Sequence, residues 1–282
     1  MKIVLSRKGF DLSAGRVPSP ILPDGTLLSL PIPDESHTSK IRYEDIHVND
    51  ESIGKIVEDL TNREITRRHF AHLDPDLNTS AYPRFPRWRP LFGPGGSAHS
   101  HLKANGVATG DLFLFFGWFR QTEHVGGKYR YVKSAPNLHV IFGWLQIGAI
   151  VSVEKDVLLP WAKYHHHFLF PDDIVYVSRS TLKFNDDGES ISGGGVFEKY
   201  RDELCLTCPD QPKRSVWRLP KWFYPQDGLT PLSFHSDKRR WKLQGDHAIL
   251  QSVGRGQEFV LDADDYPKAI SWARNLINSA AA

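Results

Sequence analysis

Apolar runs and alternating apolar positions along the chain predict a fold that is rich in β-strands. Gly110–Phe119 is an almost continuous apolar run, which is typical of a strand covered on both faces. Leu138–Val153 is the longest further candidate, and Gly143 and Gly148 within it predict bulges or sharp bends. The other predicted strands are Lys2–Ser6, Tyr129–Lys133, Ile174–Val177, Ser192–Phe197, Leu204–Thr207, Ser215–Trp217 and Glu258–Leu261.

Helical spacing of apolar residues occurs in fewer places. We expect a helix capped by Asn49-Asp50 and running to Leu60, a short helix from Ser97 to Asn105, and a terminal helix from Tyr266 to Asn278. Together these elements predict an α+β fold, with one large domain over residues 1–282. Its centre would be a bent, mostly antiparallel sheet or a partly open barrel with peripheral helices. A division into sub-parts 1–96 and 97–282 is the alternative.

Two segments carry turn signals. Asp24-Gly25 lies between short apolar runs and predicts a hairpin. Residues 71–96 are rich in proline and glycine and include Asp74-Pro75-Asp76. Such a long loop within a compact domain is usually functional or mobile, so we expect it to contribute to function.

Composition and charge exclude several classes of protein. The 282 residues carry 35 Lys and Arg against 33 Asp and Glu, so the net charge of +2 excludes a strongly basic arm or a polyanionic tail. The longest apolar runs are far shorter than a membrane span or a secretory signal requires, and we expect a cytoplasmic protein. Cys205 and Cys208 lack the second ligand pair of a structural zinc site, so two buried structural thiols are expected.

Basic and aromatic residues interleave in three segments, 84–89, 213–223 and 238–242. Cations suit phosphates and flat rings suit unstacked bases, so this mixture predicts one basic face for a single strand or a flipped nucleotide. The alternative is that surface cations border tryptophans of the core. The candidate nucleotide-binding residues of this kind, two isolated tryptophans included, are Arg87, Trp88, Arg89, Trp118, Trp144, Arg218, Arg239 and Arg240.

The loop after the first predicted strand has the composition of an anion site. Arg7, Lys8 and Ser13 supply cations and a hydroxyl, and nearby glycines allow close backbone approach. Asp11 is a candidate ribose contact or general base. The loop matches neither phosphate-binding nor dinucleotide-binding glycine motifs, and a solvated turn is the alternative.

Candidate acids, bases and metal ligands are scattered along the chain. The candidate catalytic residues are Asp11, Asp74, Asp76 and His139, with His72 as a further acid or base. His99, His101 and His165–167 raise the question of a metal, and Asp74 or Asp76 would complete a site of two histidines and one carboxylate. Capping and polar packing are the alternatives, so the cofactor stays unknown at this point.

Several blocks of the chain resemble a family of bacterial and phage proteins, the nucleotide-modification-associated domains of the third type. The blocks are Lys2–Asp11, Pro18–Ile21 with Pro23–Gly25, Ser29–Pro33, His72–Leu77, Gly110–Arg120, His139–Trp144, Trp217–Pro220 and Gly256–Val260. The resemblance implies a nucleic acid or nucleotide as partner and leaves other proteins of a modification system open as partners. The short apolar runs predict no membrane partner. It implies no reaction and no catalytic residue.

Residues 98–153 also resemble the barrels of the PUA, ASCH and EVE group. The features are a helix, then Gly-Asp before an apolar strand, then a strand with Phe-Gly. That resemblance implies an aromatic-lined cleft for RNA or a modified base.

Two functions remain open from the sequence. The first is a nucleic-acid or nucleotide binding protein of a base-modification system, which holds a base in an aromatic, basic cleft. The second is an enzyme of such a system acting on a nucleobase or nucleotide, with metal dependence left open. An enzyme needs an acid or base and an anion site in one pocket, whereas a binding protein needs only rings and donors. Because no recognised reactive motif is present, the sequence favours binding.

Overall fold

β-Strands provide most of the regular structure in the computed structural model, which describes residues 1–36, 38–49, 51–153, 159–169, 173–184, 188–209, 211–226, 228–254 and 256–279. The strands are Lys2–Arg7 (β1), Ser19–Ile21 (β2), Ile32–Pro33 (β3), His47–Val48 (β4), Glu51–Ser52 (β5), Ala71–His72 (β6), Leu91–Phe92 (β7), Leu112–Val125 (β8), Lys128–Tyr131 (β9), Leu138–Ser152 (β10), Ile174–Ser178 (β11), Thr181–Lys183 (β12), Gly188–Ser192 (β13), Gly194–Val196 (β14), Val216–Pro220 (β15), Trp241–Gln244 (β16), His247–Gln251 (β17) and Glu258–Asp262 (β18). The α-helices are Gly54–Leu60 (α1), Gly96–Ala104 (α2) and Lys268–Asn278 (α3). Short 3-10 helices span Tyr43–Asp45, Pro160–Ala162, His166–Leu169, Asp202–Leu204, Lys221–Phe223 and Lys238–Arg240.

The main sheet orders its strands β18-β1-β8-β10-β11-β7, with β2 and β9 paired to β8 and β14 paired to β10. β1 runs parallel to β8, whereas its pairing with β18 and the pairing of β8 with β10 are antiparallel. In the part of the chain that the structure describes, this sheet does not close into a barrel. The predicted α+β fold around a mostly antiparallel sheet is therefore confirmed, and strands from residues 1–96 and 97–282 share the sheet.

The longest apolar runs of the sequence form the central strands. Leu112–Phe116 is completely buried, as expected for a strand covered on both faces. β10 changes register against β8 between Ile141 and Gly143, and against β11 between Ile147 and Ala149. The irregularities predicted at Gly143 and Gly148 are therefore confirmed. A Cβ at Gly148 would lie 2.8 Å from the backbone of Arg179, so a side chain there would collide with the neighbouring chain.

Some predicted boundaries are wrong. The first helix begins at Gly54 because His47–Val48 and Glu51–Ser52 pair as β4 and β5, with Asn49 at a φ of +47° between them. Asp50, the second residue of the predicted cap, lies outside the described residues. In place of the predicted strand Leu204–Thr207, Leu204 ends a 3-10 helix, and Cys205 and Thr207 form isolated bridges to Val140 and Trp217. The other two predicted helices are confirmed within two residues at each end.

Hydrophobic side chains of the described residues pack in three clusters. The largest cluster surrounds the main sheet and includes Phe113, Phe115, Trp217 and Phe259. A second cluster has buried members between Phe10 and Ala81, among them the fully buried Tyr43, which donates its hydroxyl to the backbone oxygen of Pro31 over 2.7 Å. The second cluster fixes the loops that lead to the pocket described below.

Two observations bear on the expectations from composition. Cys208 is buried and Cys205 is partly buried, and both are free thiols. None of the helices in the described residues has the length and apolar content needed to cross a membrane.

Candidate functional site

A pocket of about 300 Å³ opens where β1 ends. Its walls come from the loop after β1, from the start of the 71–96 loop, from the segment after β7, and from the 3-10 helix His166–Leu169. Seven of the candidate residues named from the sequence line it, although they are separated by up to 160 positions in the chain. The polar lining side chains are Arg7, Lys8, Asp11, Ser13, His72, Asp74, His167 and Gln257.

The end of β1 is held on both sides. The backbone N–H of Arg7 donates to Gln257 O over 2.8 Å, and that of Lys8 donates to Phe116 O over 2.9 Å. Gly9 then takes a φ of +81°, a conformation in which glycine carries no steric penalty. The chain therefore turns away from the sheet directly after the two cations.

The two cations differ in what they already bind. Lys8 Nζ donates to Glu258 Oε1 over 2.6 Å, and both side chains are almost completely buried, so this ammonium is neutralised within the protein. Arg7 donates from Nη2 to the backbone oxygens of Gly254 and Gly256, over 3.0 and 2.6 Å. Burial lowers the pKa of Arg7, yet a guanidinium stays protonated in proteins. Carbonyls position Arg7 without cancelling its charge, so it is the cation that can meet an anion.

The loop after β1 is shaped by Asp11. Its Oδ1 accepts hydrogen bonds from the backbone N–H groups of Ser13 and Ala14, over 2.7 and 2.8 Å. The Ser13 hydroxyl donates to the same oxygen over 2.6 Å. These contacts form a side-chain-capped turn that holds the Asp11 carboxylate at the wall of the pocket.

An imidazole and carboxylate cluster forms the opposite wall. Asp74 Oδ1 accepts from the backbone N–H of Gly93 over 2.8 Å and lies 3.3 Å from His165 Nε2. The other Asp74 oxygen lies 3.7 Å from His167 Nε2, and His167 Nδ1 contacts Asp173 Oδ2 over 2.8 Å. One ligand atom each from His72, Asp74 and His167 lies within 4.8 Å of the other two. Two imidazoles and one carboxylate are a donor set that suits a first-row transition metal.

The environment sets the charges of this cluster. Burial lowers the pKa of His72 to about 4, so its imidazole is neutral at pH 7. Burial opposes ionisation of Asp74, but the neighbouring His165 and His167 imidazoles outweigh it and hold the pKa of the carboxyl well below its usual range. Burial also lowers the pKa of His167, but Asp74 and Asp173 outweigh it and raise that pKa to about 9. The cluster therefore combines an ionised carboxylate with imidazoles of different basicity.

The chain as a whole can be compared with known proteins. A family model described as nucleotide modification associated domain 3 matches residues 2–262. The chain belongs to this family. No curated protein and no solved structure matches the chain significantly. All pocket residues lie within the matched stretch, whereas the local likeness of residues 98–153 to PUA-type barrels gains no support from these comparisons.

In this nucleotide modification associated domain, Asp76 does not line the pocket, although it is two residues from Asp74. Its fully buried carboxylate accepts from both terminal nitrogens of Arg84 over 2.6 Å and from the Tyr164 hydroxyl over 2.6 Å. Trp88 Nε1 donates to the Tyr164 hydroxyl over 2.6 Å, and the Arg84 guanidinium lies 4.0 Å from the Trp88 ring centre. Asp76 and Trp88 are thus engaged in a structural network.

His139 is also engaged within the core. Its Nδ1 accepts from Trp217 Nε1 over 2.9 Å, and burial lowers its pKa to about 3. His99 and His101 both lie in α2, where residues two positions apart are on different sides of the helix. The ring of His101 stacks on Phe234 at 4.2 Å between centres. None of these three histidines lines the pocket.

Three of the six tryptophans expected to contribute to the basic, aromatic site are buried in the interior. Trp217 and Trp241 are buried, and the Nε1 group of Trp144, also buried, donates to Ser192 O over 3.1 Å. These buried rings cannot stack on a ligand that arrives from solvent. They therefore give no support to the prediction of a single aromatic, basic face. Trp118 is half-buried, and the guanidinium of Arg214 covers its ring at 4.3 Å.

The remaining predicted cations lie outside the pocket. Arg87 is exposed, Arg89 is half-buried, and Arg239 pairs with Asp237 over 2.9 Å. The half-buried Arg240 reaches Gln251 O over 3.3 Å, and Arg218 lines a different pocket of about 530 Å³. A role for these arginines in nucleic-acid binding stays a prediction.

From the sequence, His72 and His167 are separate candidates, and no pattern places them in one site. The signal that could have joined them is His72-Leu73-Asp74, in which an imidazole and a carboxylate two residues apart begin the predicted functional loop. Gly93 and Asp173, which hold the Asp74 and His167 side chains, carry no such signal.

Proposed function

We propose that this protein is an enzyme of a nucleotide-modification system and that it acts on a nucleotide in the pocket at the end of β1. One observation carries the proposal. An anion site around Arg7 and an acid–base cluster around Asp74 line the same pocket. This convergence is what distinguishes an enzyme from a protein that only holds a base.

The lining supports a division of roles. Arg7 would hold a phosphate, because it is fixed by backbone carbonyls and keeps its charge. Asp11, anchored by Ser13 on the same wall, would contact the sugar. Asp74, with His72 and His167, would act at the reacting group. A volume of about 300 Å³ is at the small end of ligand pockets, which favours one nucleotide over a longer strand inside it.

The binding function favoured by the sequence has less support from the geometry. Phe92 is the only Phe, Tyr or Trp among the described residues that line the pocket, and it packs against Phe113 and Phe115 at 5.2 Å between ring centres. Lys8 covers the same ring at 4.7 Å. A base would therefore find no free ring of the kind that aromatic readers use.

Binding and turnover test the proposal separately. Nucleoside monophosphates, the matching nucleosides, and plain and modified oligonucleotides are incubated with the protein, and the products are analysed by mass spectrometry. We expect a mass change with at least one phosphate-bearing substrate and none with Asp74→Asn. We expect Arg7→Gln to weaken binding of the monophosphate by roughly 10- to 100-fold, the loss of one charge-assisted contact. The effect on the nucleoside should be small.

Arg239→Gln is the matched control, because it removes an exposed guanidinium outside the pocket. Thermal melting would test whether Arg7→Gln still folds after the loss of its carbonyl contacts. Tight binding of a modified oligonucleotide without any mass change would refute the enzyme and establish a binding protein. An unchanged affinity in Arg7→Gln would refute the phosphate role.

A further inference from the structure

We infer that His72, Asp74 and His167 bind one divalent first-row transition-metal ion, with open coordination positions that face the pocket. Their ligand atoms lie within 4.8 Å of one another. Nitrogen and oxygen ligands lie about 2 Å from such an ion, so two ligands of one ion are about 3–4 Å apart. Side-chain movements of less than about 1 Å would therefore bring the three atoms to one ion.

Within the described residues, the imidazole nitrogens that would bind the ion have no hydrogen-bond partner outside the proposed site, since the Asp74 carboxylate, 3.7 Å from His167 Nε2, is itself a proposed ligand. His72 Nε2 and His167 Nε2 are both buried, and neither makes a hydrogen bond within the described residues. The His167 residue is only 6% exposed, so water does not readily replace the missing partner. Unpaired buried polar atoms are rare and need an explanation, and an ion between these nitrogens supplies one.

Groups next to the three proposed ligands fix the orientation of the ligand side chains, as the groups that contact metal ligands do in known metal sites. His167 directs its other nitrogen, Nδ1, to Asp173 over 2.8 Å, which leaves Nε2 for the ion. Asp74 accepts the backbone N–H of Gly93, which fixes the orientation of its carboxylate. A Cβ at Gly93 would lie 2.2 Å from His167 Cδ2, so the His167 ring packs directly against the bare backbone.

The donor set selects the class of ion. Structural zinc sites are closed by four protein ligands, and magnesium or calcium prefers sites made of oxygen atoms. Two imidazoles and one carboxylate leave positions open, and this arrangement is typical of iron(II) bound outside haem. The inference deepens the proposed function, because the ion would face the same pocket as Arg7. The role of the ion in a reaction rests on the proposed function, whereas binding of the ion does not.

Metal binding is measured without any nucleotide. The untagged protein is treated with a chelator and titrated anaerobically with Fe(II) and with Co(II), by calorimetry and by visible absorption of the cobalt complex. We expect one ion per chain for the wild type. His72→Gln and Asp74→Asn should each weaken binding at least 100-fold, because a direct ligand matters more than the second-shell groups that cost 10- to 100-fold. His124→Gln, which removes an exposed imidazole elsewhere, should bind like the wild type.

A pair of glycine variants guards against loss of folding as the cause. Gly93→Ala should displace the His167 ring and weaken metal binding, whereas Gly95→Ala, in the same pocket, meets no atom within 4 Å and should not. Absence of metal binding by the folded wild type, or unchanged affinity in His72→Gln and Asp74→Asn, would overturn the inference. Metal binding without turnover would leave the inference standing and refute the enzyme, whereas turnover by a protein that binds no metal would support the enzyme and overturn the inference.

Discussion

Replacing Arg84 by methionine should destabilise the fold severely, because it leaves the buried carboxylate of Asp76 without its ion-pair partner. Asp76 is 0% exposed and Arg84 is 9% exposed. Both terminal nitrogens of Arg84 contact the Asp76 carboxylate, so the substitution leaves the Tyr164 hydroxyl as its remaining side-chain donor. Removal of one partner of a buried ion pair costs about 3–5 kcal/mol. The backbone oxygens of Asn78 and Thr79 also lose the donors that Arg84 gives them.

Urea unfolding of the whole protein, followed by circular dichroism and extrapolated to water, measures this cost. The matched control is Arg130→Met, which breaks the exposed pair with Glu123 and should cost less than about 1 kcal/mol. Adding Asp76→Leu to Arg84→Met removes the stranded charge, so the double variant should be no less stable than Arg84→Met alone. A cost below about 1 kcal/mol for Arg84→Met would refute the reasoning. So would additive costs in the double variant.

Two further predictions concern pH. Hydrogen bonds from Arg67 lower the pKa of the buried Glu58 to about 2, so this pair stabilises the fold above the ordinary pKa of about 4.5 and ceases to do so as the pH falls toward 2. Glu58→Gln should lower the free energy of unfolding by about 1–2 kcal/mol at pH 7, and its melting temperature should approach that of the wild type below pH 4.5. A difference in melting temperature that stays constant with pH would contradict this. Burial lowers the pKa of His139 from 6.5 to about 3, so the unfolded chain binds a proton that the folded one does not, and stability falls as the pH drops through that interval. The melting temperature of His139→Gln should change less between pH 6 and 4 than that of the wild type. An equal change with pH in both proteins would show that His139 does not titrate as stated.

The sequence predicted those parts of the fold that short-range patterns determine. β1, β8 and β10 follow from apolar runs, and the irregularities of β10 follow from Gly143 and Gly148. The first helix is shorter than the sequence predicts because residues 47–48 and 51–52 form paired strands instead, and two-residue strands leave almost no periodic signal. Burial of the tryptophans could not be predicted, since Trp217 and Trp241 lie in a small sheet whose packing depends on distant residues.

The candidate site was predicted residue by residue but not as a whole. The loop from Arg7 to Ser13 and the carboxylate of Asp74 were both recognised from their chemistry. Their meeting depends on the parallel pairing of β1 with β8 and on the position of His167, which is 93 residues from Asp74. Spacing along a single sequence does not contain such long-range contacts, so the choice between binding and catalysis required the structure.

The two carboxylates of Asp74-Pro75-Asp76 show how stability and the site are linked. Asp76 and Leu91 exchange both of their backbone hydrogen bonds, over 2.9 and 3.0 Å. Counting two residues outward on each side of this antiparallel pair places Asp74 opposite Gly93, where the Gly93 N–H donates to its carboxylate. The Arg84 pair holds Asp76 in this register, and the register in turn holds Asp74 against the His167 ring. The buried network is therefore the support from which the pocket is built, and damage to it should reach the cluster by displacing Asp74.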